Sequence, residues 1–281
     1  MKKWHMVVDL AKCVGCYNCM LACKDEHVGN DWLPYTESQS LHGDKWINPV
    51  RVERGSVPFT EVAFVTKTCM HCDDAPCAKN CPEAIKQRKD GIVLIDQVRA
   101  RGNKDLVDAC PYGHIHWNEE LQTAQKCTMC AHLLDEGWKE PRCVQACPLR
   151  ALSVVYCDDI EFEEIVEKQK LKPLTDGSNR PRVLYKNLYK YNKCFIAGAL
   201  SYMDGEIETA ATEAKVKLSM NGVPLISRHA DFLGEFKLDK LPKNSGTYTL
   251  ECFLDGYKTI TKEVDMLEEC INLGCLQFEK A

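Results

Sequence analysis

Residues 8–23 read VDLAKCVGCYNCMLAC, and the spacing C-x2-C-x2-C-x3-C at Cys13, Cys16, Cys19 and Cys23 decides how the first half of the chain is built. A loop this short can wrap three thiolates around one corner of an inorganic cluster while the fourth Cys reaches elsewhere. Residues 95–113, IDQVRARGNKDLVDACPYG, begin and end on the same pattern. Asp96 aligns with Asp9, Gly102 with Gly15, and Ala109-Cys110 with Ala22-Cys23. Where the first stretch has Cys13, Cys16 and Cys19, the second has Ala100, Asn103 and Leu106. Cys110 therefore stands without local companions.

Two further groups supply the context. One is C-x2-C-x4-C-x3-C-P at Cys69, Cys72, Cys77, Cys81 and Pro82. The other is C-x2-C at Cys127 and Cys130, followed after a gap by C-x3-C-P at Cys143, Cys147 and Pro148. A [4Fe–4S] cubane takes four thiolates, and in two-cluster ferredoxins the fourth Cys of each run ligates the other cluster. Cys110 then completes a cluster whose other ligands come from a different motif. Zinc is the competing reading, since two C-x2-C-like pairs suit a tetrahedral site. The first motif and three Cys-Pro endings do not fit zinc, so the spacing predicts iron–sulfur clusters. His71 and His132 stand beside these cysteines, but the sulfur sets are complete without them. They read as supporting residues. Lys12, Lys67 and Lys126 precede the motifs and read as solvated.

Composition bounds the rest. A length of 281 residues predicts roughly two domains. A net charge of −5 and a pI near 5.9 argue against nucleic acid or an anionic membrane surface as partner. Neither a signal peptide nor a twin arginine is visible, and the apolar run CFIAGAL (194–200) is far too short to span a bilayer. The expectation is a cytoplasmic protein that does not enter the membrane. Eighteen cysteines, thirteen of them between Cys13 and Cys147, fit a reducing compartment and metal binding. The other five, Cys157, Cys194, Cys252, Cys270 and Cys275, read as reduced thiols packed like small apolar side chains.

The chain is predicted to be α+β. Residues 1–193 form a tandem ferredoxin-like cluster domain, with 157–193 as a connector laid over it, and 194–281 form a small all-β sandwich or barrel. Short strand-like runs, GIVLID (91–96), HIHWN (114–118) and ALSVVY (151–156), follow the cysteine groups. The acidic piece DDIEFEEIVEKQK is helix-patterned. In the last third, Val216, Leu218 and Met220 alternate before an Asn221-Gly222 hairpin signal. Phe236, Leu238 and Leu241 follow, then Tyr248, Leu250, Cys252 and Leu254.

The motif series resembles the iron–sulfur subunits of the dimethyl sulfoxide reductase family of molybdenum enzymes. The resemblance implies three [4Fe–4S] clusters. Cys13, Cys16, Cys19 and Cys147 would hold the first, and Cys127, Cys130, Cys143 and Cys23 the second. Cys69, Cys72, Cys77 and Cys110 would hold the third, leaving Cys81 an orphan thiol. AQKCTMCAHLLDE (124–136), RPRVLYKNLYKY (180–191) and DFLGEFKLDKL (231–241) resemble members whose large subunit transfers or removes hydroxyl groups on polyhydroxylated benzene rings. Those members carry a C-terminal β-domain of the carboxypeptidase-regulatory or transthyretin-like kind. The resemblance implies a heterodimer, or a higher assembly of it, with a large catalytic partner. That partner alone would hold molybdenum on molybdopterin guanine dinucleotide. This chain offers no catalytic acid or base and would carry electrons. The alternative is the electron-transfer subunit of another molybdenum or tungsten oxidoreductase, such as an aromatic dehydroxylase.

Overall fold

Strand Lys3–Asp9 is buried from His5 onward, because it lies in the middle of a three-stranded sheet. It runs antiparallel to Leu152–Cys157, with Trp4 opposite Tyr156 and Val8 opposite Leu152. On its other edge it runs parallel to Val183–Lys186, with Met6 opposite Val183. A strand paired on both edges and covered on both faces needs a nearly unbroken apolar run, as Met6-Val7-Val8 supplies.

The computed structural model describes residues 1–281. They divide into two units, Met1–Arg51 with Ala63–Leu188, and Val52–Val62 with Tyr189–Ala281. In the first unit, helix Asp159–Gln169 starts on a capping box in which Asp158 and Glu161 each accept the other's backbone N–H. Phe162 on that helix packs with Val7, Cys157, Leu171 and Leu184, and the His5 ring stacks on it at 3.7 Å. Residues 157–188 are therefore not a connector draped over the sheet, because they supply its third strand and its covering helix.

The cysteine motifs sit on shorter pieces. Helix Asn18–His27 carries Cys19 and Cys23, Pro76–Asn80 carries Cys77, and Arg142–Gln145 carries Cys143. Helices of four or five residues do not persist alone in water, so the loops that carry the cysteines and the packing around them hold these turns. Two small hairpins, Ile85–Gln87 with Val93–Ile95 and His116–Asn118 with Thr123–Gln125, complete the frame.

The second unit is built on the long strand Lys193–Asp204, which contains the CFIAGAL run. It pairs antiparallel with Glu235–Pro242 and Ile207–Ala210 and parallel with Ile271–Phe278. A second open sheet is ordered Val223–His229, Lys215–Met220, Gly246–Phe253, Ile260–Met266, all antiparallel. Alternate residues of both sheets form one core: Val216, Leu218, Phe236, Leu238, Leu241, Tyr248, Leu250 and Cys252 are all buried. Asn221 (φ 50°) and Gly222 (φ 77°) make the two-residue turn that this register requires, both in the left-handed region. Residues 52–62, from the tip of a hairpin, belong to this unit. There the Arg54 guanidinium bridges Asp239 at 2.8 Å and Glu61 at 2.6 Å. Of the scattered cysteines, Cys157, Cys194 and Cys252 are buried, Cys270 is half-buried and Cys275 is exposed. The packed-thiol expectation thus fails at Cys275.

Candidate metal centres

The loop of residues 9–17 is shaped by Asp9, whose carboxylate accepts the Ala11 N–H (2.9 Å) and an N–H of the Asn187 side chain (2.7 Å). Gly15 lies at φ +69°, and a Cβ there would stand 2.5 Å from Phe64 Cδ1 and closer still to two other ring atoms. Only glycine meets both conditions. Tyr17, itself left-handed, then starts the helix that carries Cys19 and Cys23. Cys13, Cys16, Cys19 and Cys147 line one cavity, with Thr66, Pro148 and Leu149 among its walls. The Ala151 N–H donates to Cys147 Sγ at 3.2 Å, and Thr66 Oγ1 lies 4.0 Å from Cys13 Sγ.

Cys23, Cys127, Cys130 and Cys143 line a second cavity, walled by His27, Trp46, Ile47 and Met129. Met129 (φ 53°) and Cys130 (φ 49°) take left-handed conformations that curl the loop, and the Met129 N–H donates to Cys127 Sγ at 3.3 Å. In each cavity three cysteines come from one motif and the fourth from the other.

The remaining set is marked by mutual electrostatics. Burial pushes the Cys72 thiol up to about 12, reinforced by Cys69, Cys77 and Cys110 around it. Burial likewise raises Cys77 to about 11, and Cys110 accepts the His114 N–H at 3.5 Å. The same cause places Cys19 and Cys130 at about 12 and drives Cys23 and Cys143 well above the ordinary thiol value. Thiols gathered this way resist ionising unless a cation shares the site, and coordination by iron removes their protons outright. No three His, Cys, Asp or Glu side chains gather as a single bound ion would need. Two of the sets each line a cavity, whereas four thiolates on one zinc would close about a point at Zn–S distances of about 2.3 Å.

The stretch that resembles a motif without its cysteines keeps the motif's backbone. Asp96 accepts the Val98 N–H at 3.1 Å as Asp9 accepts that of Ala11, and Gly102 (φ +74°) repeats the left-handed turn of Gly15. The Ala100 N–H bonds to Asp96 O as the Cys13 N–H does to Asp9 O. In place of thiols, Ala100 and Leu106 are fully buried apolar side chains, while Asn103 points to solvent. Cys81 lies half-buried at the end of helix Pro76–Asn80.

The histidines are otherwise engaged. His71 Nδ1 accepts the Val93 N–H, and His132 pairs with Glu26 at 3.0 Å while stacking on Trp32. Lys12 is exposed and Lys67 half-buried, but Lys126 is buried, so the solvated reading fails there. Sequence reading also missed Thr66 and Trp46 as walls of these cavities, and Phe64 as the ring packed on Gly15. They lie outside the cysteine runs and nothing in their own spacing marks them.

Comparison with known proteins adds to this geometry. Residues 60–156 match the family model of the 4Fe-4S dicluster domain. The chain is 40% identical over 282 residues to the pyrogallol hydroxytransferase small subunit of Pelobacter acidigallici, covering 99% of this chain and 100% of that one. It is 30% identical to the arsenate respiratory reductase iron-sulfur subunit of Shewanella sp. strain ANA-3, over 64% of this chain and 94% of the relative. A component of the Escherichia coli anaerobic dimethyl sulfoxide reductase is 34% identical to it, over 56% of this chain and 76% of the relative.

Proposed function

The chain belongs to the iron–sulfur subunits of the dimethyl sulfoxide reductase family of molybdenum enzymes, and on that premise we propose what it holds and what it serves. It is an electron-transfer subunit, as its relatives are. The proposal is that it binds three [4Fe–4S] clusters through the three cysteine sets described above. Cys81 is left as a thiol. The observation that carries this reading is the crossed pairing: two cavities, each lined by four cysteines, three from one motif and one from the other.

When bound, each cluster accepts and returns a single electron. The chain's own residues hold the thiolates, donate backbone N–H groups from Ala151, Met129 and His114 to three of the sulfurs, and leave only Cys16 of the twelve exposed. Such donors favour the anionic sulfur and so tune the cluster's potential. The packing of Ala100 and Leu106 where a fourth motif would place thiols supports a count of three. A chain with that gap suits an enzyme with no need to send electrons out over a long path.

The partner in this proposal is a large subunit carrying molybdenum on molybdopterin guanine dinucleotide, joined with this chain in a cytoplasmic heterodimer. No helix here is long and apolar enough to cross a membrane. The substrate class is polyhydroxylated benzenes, with conversion of pyrogallol into its isomer phloroglucinol by hydroxyl transfer as the overall reaction, which exchanges no net electrons. The second unit, two open sheets around one core, is proposed as a transthyretin-like interface module.

The test is to incubate the anaerobically purified complex with pyrogallol and no external electron donor or acceptor. Formation of phloroglucinol supports the reading. Turnover only after a reductant is added would assign the chain to a reductase or dehydroxylase instead.

A further inference from the structure

Lys126 is 3% exposed, and a lysine is almost never buried so deeply unless it is paired. Its hydrogen-bond acceptors are not carboxylates but two main-chain carbonyls, Val93 O and Cys127 O, the latter at 3.0 Å. Val93 in turn donates its N–H to His71 Nδ1 at 3.1 Å, and His71 lies in the loop between Cys69 and Cys72. The ammonium is thereby pinned between two cysteine sets: the loop of Cys69 and Cys72 on one side, and Cys127 on the other. Val93 also pairs across its hairpin with Gln87, whose side-chain N–H donates to Cys72 O at 3.0 Å, a second tie to that loop. Desolvating a cation is costly, and hydrogen bonds to two neutral carbonyls offset only part of that, so nearby negative charge is needed for the rest.

We propose that Lys126 is a fixed counter-charge shared by two clusters, the one held by Cys69, Cys72, Cys77 and Cys110 and the one held by Cys23, Cys127, Cys130 and Cys143, and that it raises the reduction potential of both. The inference rests on the three-cluster reading above. Reduction adds one electron to a centre already negative through its thiolates. A buried positive charge beside it stabilises the reduced form more than the oxidised one, in a medium where screening is weak. Lys126 is thus a positioning residue for electron flow, and the cluster of Cys13, Cys16, Cys19 and Cys147 lies outside the contacts it makes.

The experiment is an EPR-monitored redox titration with dithionite and mediators on the anaerobically purified complex. Wild type is compared with Lys126→Gln, which keeps N–H donors for the two carbonyls but removes the charge, and with Lys126→Arg, which keeps the charge. In Lys126→Gln, the ratio of reduced to oxidised centre at a fixed potential is expected to fall about tenfold for two of the clusters. For a one-electron couple that is about 59 mV. The third cluster should not move, and Lys126→Arg should stay within threefold of wild type. Unchanged potentials in an iron-replete Lys126→Gln complex, or an equal shift of all three clusters, would overturn the proposal. If Lys126→Gln loses iron, Lys126→Arg decides. Full iron and wild-type potentials support the shared charge, and loss of iron there too assigns Lys126 a packing role. A wild-type complex without iron would sink the cluster reading itself, a result distinct from any of these.

Discussion

Gly15 and Gly102 occupy matching places in an intact motif and in its relic, which makes them a controlled pair. Both sit in the left-handed region, at φ +69° and +74°. An alanine there pays about 1–2 kcal/mol of backbone strain at either position. The surroundings differ. A Cβ at Gly15 runs into the ring of Phe64, whereas at Gly102 nothing lies within 4 Å. Forcing atoms into an occupied space adds roughly 1–3 kcal/mol. Gly15→Ala should therefore cost roughly 2–5 kcal/mol locally, and Gly102→Ala only the strain of about 1–2 kcal/mol. The larger cost falls on the loop that carries Cys13 and Cys16, so it should appear as lost iron. Measured on the purified complex, Gly102→Ala keeps wild-type iron, while Gly15→Ala loses about four irons per chain, one cubane's worth. Equal iron in both variants, or a greater loss from Gly102→Ala, would refute the reasoning.

Removing Cys110 as Cys110→Ala should also cost about four irons, whereas Cys81→Ala should retain them all, since Cys81 has no set to complete; iron per chain checks both. The His5 imidazole is held down to about 4 from an ordinary 6.5, mainly by burial and then by the Arg182 guanidinium. The folded state thus binds fewer protons than the unfolded one in that interval, so the first unit loses stability as pH falls from about 6.5 to 4. A His5→Gln variant should flatten that part of the curve, read by denaturant unfolding at each pH. Asp158→Ala removes the cap of helix Asp159–Gln169 and should cost about 1 kcal/mol, seen as faster amide exchange along that helix.

What the sequence made legible was local. The cysteine spacing identified each motif, because three ligands in one loop leave their signature in consecutive residues. The period-two run Tyr248, Leu250, Cys252 and the Asn221-Gly222 turn likewise gave the strands of the second unit, because one face of each sheet is buried. The helix pattern of DDIEFEEIVEKQK is another short-range signal. What stayed hidden depends on contacts across long stretches of chain. Val183–Lys186 pairs with the N-terminal strand, so part of the presumed connector is integral to the first sheet. Residues 52–62 fold with the C-terminal unit through Arg54 and Asp239, 185 residues apart. The burial of Lys126 follows from Val93, which no periodicity links to it.

The central claim is that this chain carries three cubanes in the service of a molybdenum-bearing partner. Elemental analysis of the anaerobically purified complex, counting iron, molybdenum and zinc per copy of this chain, tests it most directly. The expected result is about twelve irons with one molybdenum and no stoichiometric zinc. Zinc with little iron would contradict the account outright, and about sixteen irons assigned to this chain would mean that residues 95–113 help to hold a fourth cluster after all.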